Sequence, residues 1–152
     1  MNPSDLVQEI GERLNLTGLT LNDGICRLVF DNSLPIDIED DDAGNLCFHS
    51  VLAPLPHDGR ESLLAGLLSA HLFGIETDGA VFGLHPRTEE LYLFRTLPVE
   101  GLEVEPALDA LERFTHQVET WKRKIEALAR GAADTPVPSD ESEPLASEGI
   151  RA

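Results

Sequence analysis

Three short runs of strand-forming residues lie in the first half of the chain and limit the folds it can adopt. The runs are Ile25–Phe30, Leu34–Glu39 and Leu46–Leu52, joined by short stretches of Asp, Asn, Ser, Ala and Gly. These joining residues favour tight turns, and strands joined by short connections pair in antiparallel fashion. The stretch therefore predicts an antiparallel meander, a sheet whose apolar face other elements must cover.

A first amphipathic helix is predicted over residues 4–15, with Ser4 as its N-cap. Its apolar side chains recur every three or four residues, so they form one stripe along the helix. They are Leu6, Val7, Ile10 and Leu14.

A second helix, residues 60–73, carries apolar side chains on nearly all of its faces. A surface helix shows one apolar stripe, whereas a helix that is apolar on most faces must be covered on most faces. In a chain of 152 residues the cover comes from a second subunit or from burial inside the monomer, and the sequence leaves both open.

Two further strands are predicted, Ala80–His85 and Leu91–Leu97, followed by a long helix that begins near Val104. Two apolar series with seven-residue spacing form one stripe along this helix. The stripe fits a coiled-coil dimer or, as we expect, a helix that lies across the sheet and covers it. Its residues are Val104, Ala107, Leu111, Phe114, Val118, Trp121, Ile125 and Leu128.

The element order, α-β-β-β-α-β-β-α, places the chain in the α+β class. We expect a mostly antiparallel, twisted sheet of about five strands, flanked by helices. Residues 1–130 are assigned to one domain. Residues 131–152 contain five acidic residues and one basic residue among Ala, Pro and Ser, and are predicted to be a disordered acidic tail.

The chain has 11 basic and 28 acidic residues, a formal net charge of −17. Such a surface lacks the basic face that nucleic acids and anionic membranes require, so we expect neither as a partner. We see no secretory signal and no membrane-spanning run, which predicts a cytoplasmic protein. Two cysteines, Cys26 and Cys47, are too few for a disulfide framework and are expected to be reduced.

Sequence patterns that carry catalysis are missing: we find no phosphate-binding Gly loop, no nucleophile elbow and no His-Glu-x-x-His. We therefore expect no enzyme, no cofactor and no metal. The acidic run Asp37–Asp42 lacks calcium-loop spacing and is either a solvated turn or a contact for a basic partner. The first and third strands are apolar on both faces, which indicates a partner-binding surface or a second face covered within the protein.

Several short stretches, taken in order, are typical of one protein family. They are Leu14-Asn15-Leu16, Leu19-x-Leu21-x-Asp23-x-x-x-Cys26-x-Leu28-x-Phe30-Asp31, Ile36-x-Ile38-Glu39, Leu63-Leu64-x-x-Leu67-Leu68-x-Ala70, Thr77-x-Gly79-Ala80-x-x-Gly83-Leu84, Leu97-Pro98 and Leu111-Glu112-x-Phe114 … Glu119-x-Trp121. Together with the element order, small size and acidity, they resemble the class I type III secretion chaperones, the Tir chaperone (CesT-like) family. The resemblance covers about residues 5–128.

The resemblance implies a homodimeric, non-enzymatic bacterial chaperone. It would hold the N-terminal segment of a type III secreted effector in extended form, soluble and competent for secretion. In the family, the second helix and a neighbouring strand form much of the dimer contact. The corresponding residues here are Leu64, Leu67, Leu68, His71, Val81 and Phe82. The effector grooves are expected between the first helix and the strands, at Val7, Ile10, Leu14, Ile25, Val29 and Val51.

A protein of the same fold can act differently, as a regulator that sequesters a transcription regulator or another chaperone. An acidic mimic of nucleic acid is a third hypothesis, and it predicts a strongly salt-dependent complex. The sequence does not distinguish the chaperone hypothesis from the regulator hypothesis. The two differ in the partner that they predict, so identifying the partner distinguishes them.

Overall fold

A computed structural model describes residues 1–134, with side chains described as far as residue 131. The predicted α+β class and element order are confirmed. The elements are α1 (Pro3–Arg13), β1 (Ile25–Phe30), β2 (Leu34–Asp40), β3 (Asn45–Pro54), α2 (Arg60–His71), a 3₁₀ turn (Leu72–Gly74), β4 (Val81–Leu84), β5 (Glu90–Pro98) and α3 (Val104–Asp134).

Helix α1 begins two residues earlier than a cap at Ser4 would allow. The side chain of Asn2 accepts a hydrogen bond from the backbone N–H of Asp5 at 2.9 Å, and Pro3 occupies the first turn. The prediction of Ser4 as N-cap is wrong, because proline suits the first helical position and places the cap at the residue before it.

The five strands form one antiparallel sheet in the order β1-β2-β3-β5-β4. Strands β1 to β3 are the predicted meander. Strand β5 then pairs with β3, so β4 lies at one edge of the sheet and β1 at the other. The register between β3 and β5 shifts once, between Val51 and Ala53.

One face of the sheet is covered by α3 together with α1. The ring centroids of Phe48 on β3 and Phe114 on α3 lie 5.9 Å apart. All residues of the predicted α3 stripe are buried except Leu128, which is half exposed. The stripe is therefore used within the chain to cover the sheet, as expected, rather than in a coiled coil. The sheet residues buried beneath the helices are Leu28, Ile36, Ile38, Leu46, Phe48, Leu91 and Leu93.

Helix α2 ends at His71, two residues before its predicted end. Leu72 leaves the helix with an extended ψ of 119°, and Phe73 has a left-handed φ of 58°. Helix α3 continues to Asp134, past the predicted domain boundary at residue 130. The rest of the predicted tail, residues 135–152, lies outside the described residues. No helix in the described part of the chain is long and apolar enough to cross a membrane.

Candidate partner-binding surfaces

The second face of the sheet, here called the open face, carries no helix of the described chain. Alternate residues of each strand point to opposite faces, so Ile25, Arg27 and Val29 of β1 point away from the core. Ile25 is 39% exposed and Val29 is 56% exposed. Apolar side chains of this size, left exposed on one face of a strand on both sides of Arg27, indicate a surface that another polypeptide covers.

The register of the strands aligns apolar residues into a row across the open face. Val29 lies opposite Pro35, Val51 lies opposite Tyr92, and Tyr92 lies opposite Gly83. Because Asp37 pairs with His49 in the antiparallel ladder of β2 and β3, Pro35 and Val51 lie at the same level. The row therefore extends across all five strands without a charged side chain.

A shallow, largely apolar cavity of about 360 Å³ lies at the β4 end of the open face. The Tyr92 ring lies between His49 and His85, with ring centroids 6.3 and 6.2 Å away. The backbone N–H groups of Arg87 and Thr88 donate to Nδ1 of His85, each at 3.2 Å, and this fixes the imidazole. The cavity is lined by Cys47, His49, Gly83, Leu84, His85, Pro86, Tyr92 and Phe94.

A network of charged and polar groups lies beside the apolar row. Arg27 donates to both carboxylate oxygens of Asp37, at 2.7 and 2.9 Å. This hydrogen-bonded guanidinium holds the pKa of Asp37 below its usual value. Nε2 of His49 lies 3.0 Å from a carboxylate oxygen of Glu39. Asp37 is therefore neutralised by a cation, whereas among the described residues Glu39 has only the imidazole of His49 as partner.

A second apolar surface, here called the α2 patch, surrounds the end of α2. It comprises Leu68, Leu72, Phe73 and Ile75, which are 70%, 61%, 87% and 78% exposed. Four large apolar side chains at such exposure are more than the scattered apolar residues of an ordinary surface.

The loop that presents the α2 patch is held in place by α3. Arg113 on α3 forms an ion pair with Asp78, with Nε donating to Oδ2 at 2.7 Å. The indole N–H of Trp121 donates to the backbone carbonyl of Glu76 at 3.4 Å. Three of the exposed side chains, Leu72, Phe73 and Ile75, therefore belong to an anchored segment, and Leu68 belongs to the helix before it, so the patch is a defined surface.

The residues predicted for the dimer contact fall into different environments. Leu67 is buried in the core at 3% exposure, and Leu64 packs against the core. Phe82 packs edge-on against Trp121 with centroids 4.9 Å apart, and His71 packs edge-on against Phe82. Only Leu68 lies in the α2 patch, while Val81 points to the open face beside Phe94.

Sequence reasoning missed three members of the α2 patch. The predicted second helix includes Leu72 and Phe73, and Ile75 lies in no predicted element. The signal was present in the apolar run that continues past the helix through Leu72-Phe73-Gly74-Ile75. When an apolar run continues beyond the end of a helix, the residues after that end are no longer held on the buried side of the helix. Their side chains are then left exposed to solvent.

The residues predicted for effector binding also lie in different environments. Val7 and Ile10 lie on the buried side of α1 and are fully buried in the core, so in this conformation they contact only the chain itself. Leu14 lines a groove of about 510 Å³ between the end of α1, β1 and α3. Ile25, Val29 and Val51 lie on the open face.

The two cysteines lie on opposite faces of the sheet, and both are free thiols. Cys26 pairs with Ile38 and points to the core, where burial raises its pKa to about 11. Cys47 lies half-buried on the open face, and burial raises its pKa as well. Among the described residues, no three His, Cys, Asp or Glu side chains are grouped so that they could hold a metal ion.

Comparison with known proteins identifies the fold and a family. The model of the Tir chaperone protein (CesT) family matches residues 5–122. No curated protein sequence gives a significant match.

Three solved structures share the fold over most of their length. A chain of the ExsC–ExsE complex superposes with a TM-score of 0.63 at 19% identity, covering 81% of this chain and 96% of that one. A chain of the HopA1–SchA chaperone–effector complex gives 0.62 at 23% identity, covering 81% and 91%. A chain of the heterodimeric ExoU–SpcU complex, from the type III secretion system of Pseudomonas aeruginosa, gives 0.61 at 17% identity, covering 83% and 96%.

Proposed function

The chain belongs to the Tir chaperone protein (CesT) family, and from this premise we propose that it is a homodimeric, non-enzymatic chaperone of a bacterial type III secretion system. It binds the N-terminal segment of a secreted effector in extended form, in the cytoplasm, and keeps that segment soluble and competent for secretion. The single observation that carries this proposal is the open face, a sheet surface with an apolar row and no covering helix in the described chain.

The dimensions of the open face suit an extended segment. Five strands spaced about 4.8 Å apart span roughly 19 Å between the edge strands, the length of about six extended residues. Alternate side chains of an extended segment point the same way, so about three of them would reach the apolar row at Val29, Val51 and Tyr92. The similar fold of a chain in a chaperone–effector complex supports this assignment.

The α2 patch supports the homodimer. A twofold interface brings the same surface of each subunit together, so apolar residues at the end of one α2 meet their equivalents in the partner. Leu68 on α2 and the loop residues Leu72, Phe73 and Ile75 are the exposed side chains available for such a contact. The groove beside Leu14 offers the effector segment a further apolar surface on the helix side of the sheet.

The function is tested by capturing the partner with the full tagged chain from the cells that encode it, followed by limited proteolysis and mass spectrometry. We expect a larger protein whose protected segment lies near its N-terminus. Recovery of a transcription regulator, another chaperone or a compact folded domain would contradict effector binding and favour sequestration as the function.

The salt dependence of the same complex separates apolar binding from mimicry of nucleic acid. If the partner binds mainly through the apolar row, we expect the complex to remain associated at high salt concentration. A complex that dissociates as salt rises would indicate a basic partner held by charge alone.

A further inference from the structure

The open face combines apolar side chains with one carboxylate that lacks a cationic partner. Glu39 lies opposite Ile25 on one side and opposite Cys47 on the other, so apolar groups flank it in the ladder. Its side chain is 52% exposed, and the only partner found for it among the described residues is His49. By contrast, the nearby Asp37 is 15% exposed and paired with Arg27.

We propose that the open face selects a polypeptide segment in which a Lys or Arg is flanked by apolar residues, with Glu39 as the specificity-determining residue. This inference rests on the proposed function, because it assigns a sequence preference to the surface on which the effector segment is bound. The occupant is a segment of another protein, and its cation pairs with the Glu39 carboxylate.

Desolvation explains why a cation is needed. A segment that covers Ile25 and Cys47 also covers Glu39, which lies between them. Burying a carboxylate without a partner costs more than the apolar contacts beside it return, and His49 supplies one hydrogen bond only. A segment without a cation at this point therefore binds more weakly, although its apolar residues fit.

The charge of the surroundings favours the same choice. Among the charged groups around Glu39, Asp40 ends β2, Asp41 and Asp42 follow in the turn after it, and Arg27 is held by Asp37. The whole chain carries a formal charge of −17. The negative electrostatic potential of the chain repels acidic segments, whereas it attracts and orients basic segments.

The proposal is tested by selecting phage-displayed random dodecapeptides on the immobilised full-length chain. Selections are run in parallel on wild type, on Glu39→Lys and on Glu126→Lys, which makes the same charge change on the solvent side of α3. We expect wild type and Glu126→Lys to enrich peptides with Lys or Arg between apolar residues. Glu39→Lys should lose that enrichment and bind the selected peptides at least about tenfold more weakly, as expected for one lost charge-assisted pair.

The outcomes separate this inference from the proposed function. Apolar peptides that lose binding to Val29→Asp, but show no basic preference, would overturn the role of Glu39 and leave the open face as the binding surface. Peptides that bind Val29→Asp as well as wild type would overturn the surface itself. If no peptide is enriched above the bare support, or if Glu39→Lys keeps the basic preference, the proposal is contradicted.

Discussion

The two faces of this sheet are built from the same strands but serve different purposes. On the covered face, Leu28, Phe48 and Leu93 are at most 4% exposed and lie beneath the helices. On the open face, residues one position away along the same strands, such as Val29 and Tyr92, remain accessible. The covered face stabilises the monomer, whereas the open face leaves apolar side chains that no helix of the described chain covers. The difference shows that apolar character alone does not identify core.

Truncating a large side chain on the covered face tests its structural role. Phe48→Ala removes a fully buried ring that packs on Phe114, so we expect a loss of about 3–5 kcal/mol in the free energy of unfolding. Val29→Ala on the open face is the matched control and should change it by no more than about 0.5 kcal/mol. Urea denaturation measures both, and equal losses would contradict the division between the faces.

Substitutions in the α2 patch test whether the dimer forms through a third surface, which is separate from both faces of the sheet. We expect light scattering to give twice the chain mass of 16.6 kDa for wild type. Leu68→Asp combined with Phe73→Asp places charges in the proposed interface and should weaken the dimer by at least about tenfold. Leu128→Asp changes an exposed apolar residue on α3 and should leave the mass unchanged. A wild-type mass near that of one chain would contradict the dimer.

Thiol reactivity compares the faces directly, because each carries one cysteine. The thiolate is the reactive form, and burial raises the pKa of Cys26 on the covered face to about 11. Burial raises the pKa of Cys47 on the open face as well, but the Cys47 thiol is more accessible than that of Cys26 and should therefore react faster with iodoacetamide in the folded protein. Intact-mass measurements on wild type and Cys47→Ser follow the rates. A folded protein in which Cys26 reacts first would contradict the assignment of the faces.

The Arg27–Asp37 pair on the open face should contribute little to stability. Its hydrogen bonds lower the pKa of Asp37, so its contribution is present above the unfolded value near 3.9 and is lost as the pH falls through the lower folded value. Asp37→Asn should cost about 0.2–1 kcal/mol at pH 7, and the cost should shrink below about pH 4. Asp58→Asn is the control in urea denaturation at both pH values. If Asp37→Asn lowered the free energy of unfolding more at low pH than at pH 7, the lowered pKa of Asp37 in the folded protein would be contradicted.

Sequence patterns predicted the fold well because α1, α3 and the strands of the meander have a clear period. The seven-residue series of α3 identified a long buried stripe, and strand alternation identified the two faces. The predicted effector set followed from the family resemblance, which does not show how far each side chain is buried in this chain. That set therefore combines Val7 and Ile10, which lie in the core, with Val29 on the open face. Strand alternation does not show which residues of neighbouring strands lie side by side, and the register of β3 and β5 is what places Tyr92 beside Val51 in one row.

The end of α2 shows a second limit. The composition of Leu72-Phe73-Gly74 permits another helical turn, so the helix was extended to residue 73. The contacts that hold the loop differently come from distant residues of α3, through Arg113 and Trp121. Tertiary contacts of this kind override the local helix preference.

The most direct test of the central claim measures the affinity of the captured effector segment for open-face variants by isothermal titration calorimetry. Val29→Asp should lower the affinity at least about tenfold, since it places a charge in the apolar row, while its thermal stability stays near that of wild type. Leu128→Asp, a comparably exposed apolar position on α3, should bind as wild type does. A folded Val29→Asp protein that binds the segment with wild-type affinity would show that the open face is not the chaperone surface.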